Sequence, residues 1–201
     1  MNKIVALWKK PTETFELIQN EKINWLRVLF LFSCKGFVFS YYLMRSKGVI
    51  KIESFGHTMA SLAAMLVFGV IYGILSNLLM GFLIQITGQV FGVKNDLKKI
   101  YNTLSQAYIP LSFGVYIVFT NVLIARVLTT GVNSSSLLIV LGIVVLVFNL
   151  VQIILTLWQF ILIFKGLKVT QKLDDSKTIL NYLIAGAIFG LIYYFTLNPY
   201  L

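Results

Sequence analysis

Carboxylates are scarce in this sequence and lie where they can do little chemistry. Its seven acids, Glu13, Glu16, Glu21, Glu53, Asp96, Asp174 and Asp175, all fall outside the long apolar runs. No carboxylate pair, Cys/His cluster, phosphate loop or nucleophile beside a base stands at a usable spacing. That argues against a membrane-embedded hydrolase or a carboxylate-driven proton antiporter, and no enzyme is expected. A single cysteine, Cys34, excludes an intrachain disulfide and a cysteine metal cluster. The single histidine, His57, has only Glu53 near it in the sequence and reads as a solvated interface residue. No cofactor and no metal is expected. No Pro/Gly/Ser-rich linker divides the chain.

Apolar residues fill the space that acids leave. The chain is 58% hydrophobic and 12% charged, with a mean hydropathy of +0.86. Such a balance is that of an integral membrane protein, all-α and polytopic. The net charge of +10 does not imply nucleic acid. Lys and Arg cluster at the ends of apolar runs, where topology and anionic head groups account for them.

The expected organisation is a five-transmembrane-helix bundle after a cytoplasmic amphipathic segment, residues 1–24. Spans fall at about 25–44, 59–91, 103–125, 137–164 and 178–197. Pro11 suits a first helical turn, and a short helix from Pro11 to about Asn20 puts Phe15 and Ile18 on one face with Leu17 nearby. That helix either lies on the membrane or a partner, or packs on its own bundle. The second segment, about 33 residues, is longer than a straight crossing needs, so it tilts, bends or runs beyond the bilayer. On one side of the membrane lie Lys3, Lys9, Lys10, Lys22, Arg27, Lys94, Lys98, Lys99, Lys165, Lys168, Lys172 and Lys177. They outnumber Arg45, Lys47, Lys51 and Arg126 on the other, which places the N-terminus in the cytoplasm and the C-terminus outside. No cleavable signal peptide is expected, because a long charged segment precedes the first apolar run.

Small and polar residues recur every fourth position in the second span: Gly69, Gly73, Asn77, Gly81, Gln85 and Gln89. A four-residue step overturns by about 40°, so this ridge winds slowly round one helix. Gly69 and Gly73 form a G-x-x-x-G element for close helix contact, and Gly186 and Gly190 form another in the fifth span. Contacts within one chain or in a homo-oligomer would both satisfy them. Lys35 stands mid-span with no acid to pair with, so backbone carbonyls, amides, water or a lipid phosphate are its candidate partners; snorkelling along a tilted helix is the alternative. Pro110 should kink the third span and release the Gln106 carbonyl, next to Tyr108. Asn149, Gln152, Thr156 and Gln159 share one face of the fourth span. Lys35, Asn77, Gln85, Gln89, Gln106, Tyr108, Pro110, Asn149, Gln152 and Gln159 therefore form the candidate intramembrane polar site, either interhelical glue or the lining of a groove. Asn133-Ser134-Ser135 fits a glycosylation acceptor.

Trp8-Lys9-Lys10-Pro11-Thr12-Glu13-Thr14-Phe15, Ala107-Tyr108-Ile109-Pro110 and Leu157-Trp158-Gln159 leading into Lys165-Gly166-Leu167 resemble the Yip family, over nearly the whole chain. The family consists of Ypt/Rab-interacting membrane proteins and bacterial relatives. The resemblance implies a non-catalytic adaptor or accessory of membrane transport and trafficking machinery, with other membrane proteins as partners. The long cytosolic region and the Asp-Leu-Tyr-Gly-Pro motif of eukaryotic members are missing, so the expected setting is a bacterial plasma membrane. The competing expectation is a lipid- or solute-handling protein whose groove around Lys35 admits an anionic lipid.

Overall fold

The computed structural model describes residues 3–52, 54–94, 96–130 and 135–197. The Asn133 acceptor and Glu53 lie outside them. Among the described residues the fold is all α, with five helical stretches long and apolar enough to cross a membrane. The helices are α1 (Lys3–Lys9), α2 (Pro11–Gln19), α3 (Trp25–Ser46), α4 (Phe55–Val90), α5 (Leu97–Ala107), α6 (Ile109–Ser112), α7 (Gly114–Thr129), α8 (Ser135–Gln171) and α9 (Asp175–Leu197).

Local chemistry sets the breaks. Pro11 has no amide to donate and disfavours helix at Lys10, which sits at φ −140° and ψ 65°. The N-terminal segment is therefore two helices rather than one. Gly48 and Gly92 take φ of 66° and 78°, which lets α3 and α4 end in Schellman turns. In these, Val49 N–H donates to the Met44 carbonyl at 2.9 Å and Val93 N–H to that of Gly88 at 3.2 Å. Asp174 caps α9, accepting the Lys177 N–H at 2.8 Å.

Two of the spans differ in extent from the sequence reading. Leu97–Ala107 forms its own amphipathic helix carrying Lys98 and Lys99, and the crossing stretch is Ile109–Thr129. Pro110 accounts for this: it occupies the first turn of α6, so the path is interrupted at Tyr108 instead of bending through. The fourth helix runs on through Lys165 and Lys168 to Gln171, about 55 Å at 1.5 Å per residue. It ends where Lys172 adopts φ 53°.

The chain divides into two compact units. The first comprises Met1–Leu29, Leu75–Ala107 and Phe160–Leu201. Its core includes Leu7, Phe15, Ile18, Ile84, Ile100, Leu104, Leu162 and Leu167. Phe15 is fully buried, and its ring lies so close to Gly166 that a Cβ there would come within 2.9 Å of it. Leu17, by contrast, is 70% exposed, so the apolar face of α2 is Phe15 and Ile18 without Leu17. The second unit comprises Phe30–Ile74 and Tyr108–Gln159. There Phe37, Val38, Tyr41, Met65, Leu111, Val118 and Val122 form the core.

The glycine ridge of α4 finds its partner in this second unit. A Cβ on Gly36 of α3 would collide with the Gly69 carbonyl and with the backbone of Gly73. One on Gly69 would stand 2.6 Å from the Phe37 Cα. Beside them the buried Ser40 hydroxyl lies 3.0 Å from the Met65 carbonyl. In the first unit Gly81 seats the Tyr101 ring, whose Cδ1 is 2.6 Å from where a Cβ would be and whose Cε1 is closer still. Gly186 has only ordinary contact with Met80, at 3.9 Å, and a Cβ on Gly190 would meet nothing within 4 Å.

Candidate functional site

The ten residues of the candidate polar site divide between the units. In the second, Lys35 is half-buried on α3. Its Nζ donates to the Tyr108 Oη at 3.1 Å and stands 4.3 Å from the centre of that ring. Phe32 packs against the same ring, its centroid 5.8 Å from that of Tyr108. An aromatic face and a phenol oxygen thus receive the Lys35 cation. Tyr108 can do this because the interruption before Pro110 turns it into a buried position, 1% exposed.

The inward face of α8 contributes Gln152 and Gln159, 5% and 4% exposed. The Gln152 amide rests on Gly114, whose absent side chain makes the room for it. Its Oε1 has no hydrogen-bond partner among the described residues. Asn149 turns back on its own helix, donating to the Val145 carbonyl at 2.7 Å.

In the first unit Asn77 is buried, Gln85 half-buried and Gln89 exposed. Gln106 donates weakly to the Asn102 Oδ1 at 3.4 Å, and its Oε1 has no partner among the described residues. The tightest polar cluster in this unit involves residues that the spacing did not single out. Asn181 Nδ2 donates to the Gln171 Oε1 at 2.8 Å and to the Ile84 carbonyl at 3.2 Å, while its Oδ1 contacts the Thr87 hydroxyl. Thr87 lies between the ridge positions of α4, where no four-residue count reaches it. Gln19 of α2 likewise ties together Thr103 at 3.0 Å and Thr170 at 2.7 Å.

An open groove of about 600 Å³ lies against α2 in the same unit, lined by Thr12, Glu16, Gln19, Asn20, Lys99, Lys168, Val169, Thr170, Lys172 and Leu173. Lys168 pairs with Asp175 at 2.8 Å. No carboxylate among the described residues pairs with Lys99 or Lys172. In the second unit, smaller cavities of about 230 and 280 Å³ lie beside the end of α3. None of these three is lined by any of the ten candidate residues. Among the described residues, no group of three His, Cys, Asp or Glu side chains could hold a metal.

Five apolar helices and a backbone-to-backbone glycine contact define a multi-pass integral membrane protein. Its family follows from comparison of the whole chain: the Yip1 domain model matches residues 5–197, and the chain belongs to the Yip family. No curated protein and no solved structure matches it.

Proposed function

We propose that the chain is a non-enzymatic membrane adaptor, an accessory of transport or trafficking machinery, that engages an acidic segment of another membrane protein through its basic face. The observation that carries this reading is the groove of Lys99, Lys168 and Lys172 beside α2, in which Lys99 and Lys172 pair with no carboxylate among the described residues. A second point supports it. Lys35 has an aromatic partner within its own chain, and the best-formed amide contacts, those of Asn181 and Gln19, join helix to helix, as glue does. The positive-inside rule puts this groove and the N-terminus in the cytoplasm, with the C-terminus outside.

Native mass spectrometry of protein gently extracted from its own membrane tests the proposal. A stoichiometric protein partner should survive Lys35→Met and be lost when Lys99, Lys168 and Lys172 are all changed to Gln. An anionic lipid lost only in Lys35→Met, with no protein partner in any sample, would replace the adaptor with a lipid-handling protein.

A further inference from the structure

Gln152 is not the only buried amide of the second unit left without a full set of partners among the described residues. Asn121 of α7 is 4% exposed, yet among the described residues neither its Nδ2 nor its Oδ1 has a hydrogen-bond partner. A buried amide with both ends unsatisfied is a costly arrangement and calls for a missing group. Asn121 lines the half-open cavity of about 280 Å³, and so do Arg45 and Tyr41 at the end of α3. The Arg45 Nη1 donates to the Tyr41 Oη at 3.1 Å, and its guanidinium carbon lies 5.9 Å from the ring centre. No carboxylate among the described residues pairs with it, so most of its five N–H donors remain for another acceptor. The rest of the wall includes Ile50, Ile52, Val122, Ile124, Leu128 and Val145. Arg126 holds one part of that wall in place, donating to the Ile52 carbonyl at 3.2 Å.

We propose that this cavity binds an anionic amphiphile, a lipid whose phosphate meets Arg45, whose ester or hydroxyl linkage meets Asn121, and whose chains leave along the apolar wall. Each part of the cavity matches one part of such a molecule. The guanidinium fork fits a phosphate in two-point contact. Asn121 both donates and accepts, as an ester carbonyl next to a glycerol hydroxyl requires. At roughly 30 Å³ per water the space equals about nine waters, enough for a headgroup and its linkage and too small for whole acyl chains. The site shares no residue with the basic groove, so it stands whether or not the adaptor reading does.

The test uses the full chain in detergent, titrated with phosphatidylglycerol and followed by native mass spectrometry. Wild type should retain one phosphatidylglycerol in preference to phosphatidylcholine. Asn121→Leu and Arg45→Gln should each weaken retention about tenfold or more, whereas Arg45→Lys, keeping the charge without the fork, should fall between. Arg45 is exposed, so its variants report even where Asn121→Leu disturbs folding. Equal retention of phosphatidylcholine, or unchanged retention in both Arg45→Gln and Asn121→Leu, would overturn the proposal. Displacement of the lipid by inorganic phosphate at similar concentration would overturn it too, in favour of a small-anion site that makes no use of the apolar wall.

Discussion

Gly36, Gly73 and Gly190 carry the same side chain in three different situations. At Gly36 the space that a Cβ needs is already held by the backbone of α4, so Gly36→Ala cannot be absorbed by rotating a side chain. We expect a loss of about 1–3 kcal/mol or more for Gly36→Ala and for Gly73→Ala, read from thermal unfolding in detergent. Gly190→Ala meets open space and should be neutral, or stabilising by up to about 1 kcal/mol through helix propensity. Equal effects at all three positions would show that the close contact contributes nothing. The Gly69 and Gly73 half of that contact was readable from its four-residue spacing, because spacing is a property of one helix. Gly36 was not, because it is the single glycine of α3, directly after Lys35, and only the neighbouring backbone gives it a role. Lys35 follows the same logic: the need for a partner was evident from its depth, but an aromatic partner from a distant stretch of chain was not.

At the scale of elements, the ends of helices proved less legible than their existence. Pro110 announced a disturbance, yet whether a helix bends or restarts at proline depends on what the next turn packs against. The extension of α8 to Gln171 has no clear signal in the sequence: Gly166 disfavours helix there, and what carries the helix past it is the absence of proline and the close seat of Phe15 on that glycine. The α9 cap is open to a pH test. The Lys177 N–H donated to Asp174 holds its carboxyl below the ordinary value of 3.8. A lowered folded-state value means that the cap stabilises fully above the unfolded pKa and is lost as pH falls through the folded one. Wild type should therefore melt above Asp174→Asn at neutral pH, and the difference should close below about pH 3.8. The N-terminal helices offer a second test. Phe15→Ala removes a fully buried ring and should cost the docking of α2 about 3–5 kcal/mol. Limited proteolysis should then cut near residues 20–24 while the spanning helices stay intact.

For the whole molecule, class and fold were the most legible part, since twenty-residue apolar runs answer to the bilayer more than to one another. The sites were the least legible, because Asn121 and Asn181 are single asparagines in apolar helices, and what distinguishes them is what surrounds each in space. Orientation can be measured directly. In a Cys34→Ser background, a membrane-impermeant maleimide should label Lys47→Cys in intact cells, and Lys98→Cys only after permeabilisation. The reverse pattern would invert the molecule and take the basic groove out of the cytoplasm.

The contact between Gly36 and the α4 glycines also bears on how the protein is made. α3 is the least apolar of the five crossing stretches and carries Lys35, so it is a poor candidate to partition into lipid while it is still alone at the ribosome. α4 is far more apolar and presents Gly69 and Gly73 to it. The two should enter the bilayer as a hairpin, with α3 committed only once α4 has been synthesised. A nascent chain halted before α4 should leave α3 extractable by alkali, one halted after residue 90 should not, and a bulky residue at Gly73 should undo the rescue. A substitution in the second helix would then surface as a failure of the first to become a membrane segment at all.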